Sequence, residues 1–218
     1  MKLKKIASLA LAGIMAVSML AGCKDGSNGG NSGSSSDNTN QNAGYSAYIL
    51  DKTDVAKLYV TAEDDARLTS AVKAVAKNAY TGGGTGALAS LTKTYWGNAI
   101  GVADSIMGGG ATYSDDGLAN EKDLKVTADL NKDASYTYYI MWYVSRKQSD
   151  DVIDELVATQ LDTIAAKLGA PNPGEGDTYK YTVSLAKTDW LKGNDASMND
   201  DAVLIGVAIT LDYTNAKY

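Results

Sequence analysis

Apolar and polar positions divide the chain into three stretches with different rhythms. From Ile6 to Leu20 nearly every residue is apolar. Lys24 to Gly44 then carries no apolar side chain except Ala43. Beyond Tyr45 the two kinds alternate with the periods of folded elements. Leu68, Ala71, Val72, Val75 and Ala79 recur at helical spacing behind Thr61 and Asp64, which predicts an amphipathic helix over 62–80 with a capping-box start. A second helix is predicted after the glycines at 82–86, with Leu88, Leu91, Tyr95, Ala99, Val102 and Ile106 on one face and Gly108-Gly109-Gly110 closing it. The two would form an αα-hairpin. A third is predicted behind Ser149 as N-cap, with Asp150 and Asp151 at its positive end. Its stripe is Val152 or Ile153, Leu156, Val157, Leu161, Ile164 and Leu168, and the Gly/Pro run 169–174 stops it.

Period-two alternation predicts the strands. Leu124, Val126, Ala128 and Leu130 alternate with polar residues, as do Tyr179, Tyr181, Val183 and Leu185. The run from Val203 to Tyr213 alternates furthest. Tyr136 to Val144 is apolar or aromatic on both faces, which reads as a central, covered strand. The opening YSAYILDKTDVAKLYV reads as a hairpin around residues 51–54, although Asp54 to Val60 also fits the start of a helix. The resulting order is (ββ)αα-ββ-α-ββ. That order predicts an α+β domain over 45–218, with an antiparallel sheet and three amphipathic helices on one of its faces.

The first stretch has the layout of an export signal. Lys2, Lys4 and Lys5 precede an apolar run of about 15 residues, short of the ~20 that a membrane span needs. Leu20-Ala21-Gly22-Cys23 follows directly and resembles the lipobox of bacterial lipoproteins. The resemblance covers residues 1–23 only. It implies cleavage between Gly22 and Cys23, with a diacylglyceryl group on the Cys23 thiol. On that reading residues 1–22 are a signal peptide and 23–44 a lipidated cysteine with a flexible tether. A Gly/Ser/Asn coil of this length spans ~25 Å on average and ~70 Å at full reach. The membrane is then a partner through the lipid alone, at the extracytoplasmic face.

Composition narrows the chemistry further. Removal of the signal leaves 17 basic residues against 26 acidic ones, a charge of −9, which argues against nucleic acid as a partner. There is no His and no Phe, while Tyr (14) and Trp (3) carry the aromatic role. Without His there is no Ser–His triad, no imidazole base and no His-ligated zinc. Cys23 is the sole cysteine, so lipidation consumes the one available thiol. Paired carboxylates remain the open catalytic route, and Asp154-Glu155 reads as the solvated face of its helix.

Several strings echo known sites. Gly82-Gly83-Gly84-Thr85-Gly86 resembles the phosphate loop of the tubulin family, but it follows a helix and Leu88 stands where a glycine belongs. Ser70…Lys73 and Ser90…Lys93 both fit the S-x-x-K pair of penicillin-binding proteins, without that family's further motifs. Asp129 to Ser135 opens like an EF-hand loop but has Ala134 at the turn and Ile140 at the twelfth position. Asp115-Asp116 and Asn199-Asp200-Asp201 fit weak calcium-binding loops and solvated acidic turns equally well.

No metal site and no cofactor is implied. Trp96, Trp142 and Trp190 are the candidates for a sugar- or peptide-stacking platform. Trp96 and Trp142 are assigned to the core, whereas Trp190, at a strand end in TDWLKGN, is the exposed candidate for ligand binding. The expected function is a surface-displayed binding or structural module in the cell envelope, meeting a protein, peptide or glycan. The alternatives are a carboxylate-dependent enzyme acting on glycans and a small solute-capture component of a transporter.

Overall fold

A computed structural model describes residues 44–77, 86–115, 118, 133–168, 176–191 and 201–216. The signal and tether, the predicted strand 124–130, most of the 82–86 loop and the helix stop at 169–174 lie outside these residues.

The described chain runs α1 (Tyr45–Asp51), α2 (Ala56–Tyr59), β1 (Val60–Ala62), α3 (Ala66–Ala76), β2 (Ala89–Ser90) and α4 (Lys93–Met107). It continues with β3 (Ala111–Tyr113), β4 (Ala134–Ser145), α5 (Asp150–Ala165), β5 (Thr178–Trp190) and β6 (Ala202–Thr214). The fold class is α+β. Its frame is the three long strands β4, β5 and β6, whose ladders run from Ala134↔Tyr213 to Ser145↔Ala202 and from Thr178↔Thr214 to Trp190↔Ala202. Strand order is β1-β5-β6-β4-β2, with β3 also on β4.

Two features of the expected sheet are corrected. β1 runs parallel to β5 and β3 parallel to β4, so the sheet is mixed rather than antiparallel. Helices also cover both of its faces. Ala186 and Gly206 are register partners on one face, where Leu68 and Val72 of α3 press on Gly206. Lys187 and Ile205 point the other way, toward Asp154 of α5. β6 is accordingly buried at every residue from Ala202 to Ala208, as a strand covered on both sides must be.

The predicted hairpin at 46–60 is two short helices and a three-residue strand. In α1 the buried residues are Tyr45, Ser46 and Ile49, a helical spacing that outweighs the β-favouring side chains. Docking fixes the segment. Ser46 Oγ accepts the N–H of Leu185 at 2.8 Å, just past the point where β1 stops covering the edge of β5. Asp64 accepts the N–H groups of Gly44 and Ser46 at 2.6 and 3.3 Å.

The three predicted long helices are present with shifted faces or ends. α3 is capped by Asp65, whose carboxylate accepts Arg67 N–H at 2.7 Å. α5 is capped by Ser149 as expected, and it buries Ile153, Val157, Leu161 and Ile164 while Val152 stays outside. Of the predicted stripe Leu91 and Ala99 are buried, but Leu91 precedes the helix, and α4 otherwise buries Ile100, Ala103 and Met107. The short strand β2 precedes α4, so α3 and α4 pack on each other without forming a simple αα-hairpin.

Candidate functional site

The chemistry-bearing side chains gather in two places, on opposite faces of the sheet. The first is a charge cluster beside the start of α5. Asp154 is almost fully buried, and one of its oxygens takes both Tyr45 Oη at 2.8 Å and Lys187 Nζ at 3.0 Å. Lys187 also lies over the Tyr45 ring, 4.8 Å from its centroid, and 3.7 Å from Asp150. Arg146 completes the group, reaching Asp150 at 2.7 Å and Asp189 at 3.2 Å. Arg146, Asp150, Lys187, Thr188, Asp189 and Val203 enclose a cleft of about 220 Å³.

Burial and the Asp154 charge push the Tyr45 hydroxyl far above an ordinary phenol. The hydrogen bond from Arg146 holds the Asp150 carboxyl below its usual range, and the Lys187 charge adds to this against partial burial. Every carboxylate here is engaged by a cation, and Asp154 by a phenol as well. The arrangement ties α1, α5 and β5 together. The expectation that Asp154-Glu155 is a solvated face holds for Glu155, which pairs with Lys52 at the surface. It fails for Asp154, which the helical stripe Asp154, Val157, Ala158, Leu161 carries inward.

The second place is an aromatic groove of about 510 Å³ at the start of α4. Thr92 stands at the N-cap without a side-chain cap bond; Asp115 takes the Lys93 N–H at 2.7 Å in its stead. Trp96 then departs from helical geometry (φ −122°, ψ 21°) and bends the helix. Its ring packs 4.9 Å from Trp190 and 6.3 Å from Tyr143, centroid to centroid. Tyr95, expected in the buried stripe, is 84% exposed on the groove wall.

Trp190 is therefore not the exposed residue expected. It is fully buried, at the end of β5 where Trp96 and Tyr143 close over it, and it contributes to the groove from behind. Trp142 is core, as predicted, and Trp96 is half-buried.

The remaining candidates disperse. Ser70 Oγ donates to the Ala66 carbonyl within its own helix. Ser90 lies in β2 and Lys93 in α4, so they share no helical face. Asp133 accepts the Asn215 N–H at 2.8 Å, while Asp129 to Lys132 lie outside the described residues, as do Asp116, Asn199 and Asp200. Among the described residues no three metal-ligating side chains converge, and no helix is long and apolar enough to cross a membrane. No family model matches the chain, and no curated protein or solved structure matches it either.

Proposed function

We propose that the chain is an exported lipoprotein, held on the extracytoplasmic face of a bacterial membrane by a diacylglyceryl group on Cys23. Its domain is a binding or structural module rather than an enzyme. The observation that carries this reading is Leu20-Ala21-Gly22-Cys23 directly behind a charged start and an apolar run, with Cys23 the chain's sole cysteine. Two acyl chains suffice for stable anchoring, and the Gly/Ser/Asn segment behind them holds the domain clear of the lipid surface. The module reading is supported by the residues absent from the whole chain, since no His is present and the thiol is taken up by lipid. It is supported also by the engaged carboxylates around Asp154.

Labelling cells with a radioactive or alkyne-tagged fatty acid tests the anchor. The wild-type protein should take up label and sediment with membranes. The Cys23→Ala variant should be unlabelled and appear in the soluble extracytoplasmic fraction or the medium. A Cys23→Ala protein that still sediments with membranes after a high-salt wash would sink the lipid claim.

A further inference from the structure

We propose that the groove at the start of α4 is a carbohydrate site, which takes a short oligosaccharide of neutral or acidic sugars against Tyr95 and Trp96. The proposal rests on the binding-module reading and gives that module its ligand class.

Three observations converge on it. First, the aromatic wall is pre-set. Trp96 packs against Trp190 and Tyr143, which also meet each other, and Tyr95 stands beside it with 84% of its surface in water. The Trp96 ring, held this way, stacks on a ligand with little rotamer entropy left to lose.

Second, the helix backbone beside the rings is bare without a packing reason. A Cβ added at Gly97 or at Gly101, one turn further on, would meet nothing within 4 Å. Each helix-interior glycine costs about 1 kcal/mol relative to alanine. The bend at Trp96 favours a flexible residue at 97, and the bare backbone at both positions leaves room for a ligand to lie against it.

Third, the lining matches a sugar in polarity and charge. Thr94 and Asn98 offer hydroxyl and amide groups, and Lys93 is the single charged residue of the lining in a chain where acids outnumber bases 26 to 20. A pyranose presents an apolar C–H face for the rings and a rim of hydroxyls for those polar groups. A volume of about 510 Å³ lies within the range of small-ligand sites. A peptide would call for apolar anchor pockets or a strand edge to pair with. The lining supplies a ring wall, helix backbone and hydrogen-bonding side chains instead.

The test uses the full-length protein, processed in bacterial cells and purified in detergent. Its tryptophan fluorescence is followed while chitotriose, cellotriose, maltotriose and trigalacturonate are titrated to millimolar concentration. Two of the three tryptophans line the groove, so at least one saccharide should shift the emission saturably. Tyr95→Ala should weaken that saccharide by about tenfold or more. Gly97→Leu, which fills open space on a helix, should abolish binding while its melting temperature stays at or above wild type. No saturable shift with any saccharide overturns the proposal, as does wild-type affinity in both variants. A response to a tripeptide mixture but to no saccharide also overturns it, in favour of a peptide site. Co-sedimentation with purified bacterial walls that is equal for wild type and both variants overturns the groove and leaves the binding-module reading standing.

Discussion

Lys187 and Asp154 meet where neither has much water to fall back on: their side chains are 16% and 5% exposed. A buried ion pair contributes little net stability over a hydrophobic pair of the same shape, but breaking one leaves a charge stranded. Asp154→Ala should therefore cost about 3 kcal/mol, since it removes at once the acceptor for Lys187 and for the Tyr45 hydroxyl. Lys187→Met with Asp154→Leu should recover most of that loss. Chemical denaturation of the two variants beside wild type checks this, and a double variant no more stable than Asp154→Ala would show that the charges are needed as a pair. At this scale the sequence was partly legible. Asp154 falls on the same helical stripe as Val157, Ala158 and Leu161, and Lys187 on the same strand face as Leu185 and Val183. Each breaks an apolar face, and the two breaks answer one another. What periodicity alone does not give is that α5 lies over β5, so the pair is visible in the sequence only as two separate anomalies.

Elements were legible where their signals are local, and misread where a distant residue supplies them. Ser149 caps α5 from the adjacent position and is found by its pattern. α1 takes its cap from Asp64, α2 from Asp162 and α4 from Asp115, each from another part of the chain. Asp162 accepts the N–H groups of Asp54, Val55 and Ala56 at 2.9, 2.8 and 2.8 Å, so one carboxylate on α5 starts a helix more than a hundred residues earlier. No sequence window contains that information, and the β-favouring side chains of 45–60 therefore suggested strands. The face of α4 was misjudged for a related reason. The bend at Trp96 rotates the stripe, so Tyr95 turns outward to the groove and Ile100 turns inward. Closeness between elements is equally hidden. Gly206 looks like a weak point in β6, yet a Cβ there would meet Val72 Cγ2 at 2.4 Å and Leu68 Cδ1 at 3.0 Å. Gly206→Ala should destabilise the domain by about 1–3 kcal/mol through forced separation of α3 and β6. Thermal unfolding measures it. Val72→Ala in the same chain should return part of the loss, and an unchanged melting temperature for Gly206→Ala alone would mean that α3 does not sit where described.

The whole molecule carries its charge in a way that sets its response to pH. With no His in the chain and the Cys23 thiol alkylated on the proposed reading, no side chain ordinarily titrates between about pH 6 and 8, so stability should be nearly flat there. The acid side is set by carboxylates held low. For Asp65, burial is outweighed by the hydrogen bonds from Arg67, and for Asp162 by three backbone N–H groups, while Arg146 holds Asp150 down. Unfolded aspartates titrate near ~3.9, so below that value the unfolded chain binds protons that the native one refuses. These contributions are complete above about pH 5 and are lost as pH falls through the lower native values. The alkaline side has the opposite sign. Burial raises Tyr45, Tyr113 and Tyr139 above an ordinary phenol, with Asp154 adding to the first and the Asp104 hydrogen bond to the last. Above pH ~10 the unfolded chain sheds protons that these residues keep while folded, so their contribution is full below ~10 and declines as pH rises beyond it. Urea midpoints should form a plateau between these two limits. Tyrosinate absorbance near 295 nm should show Tyr45, Tyr113 and Tyr139 ionising only as the fold is lost. A midpoint that falls between pH 6 and 8, or fourteen tyrosines that titrate together with the fold intact, would contradict the burial described for these rings.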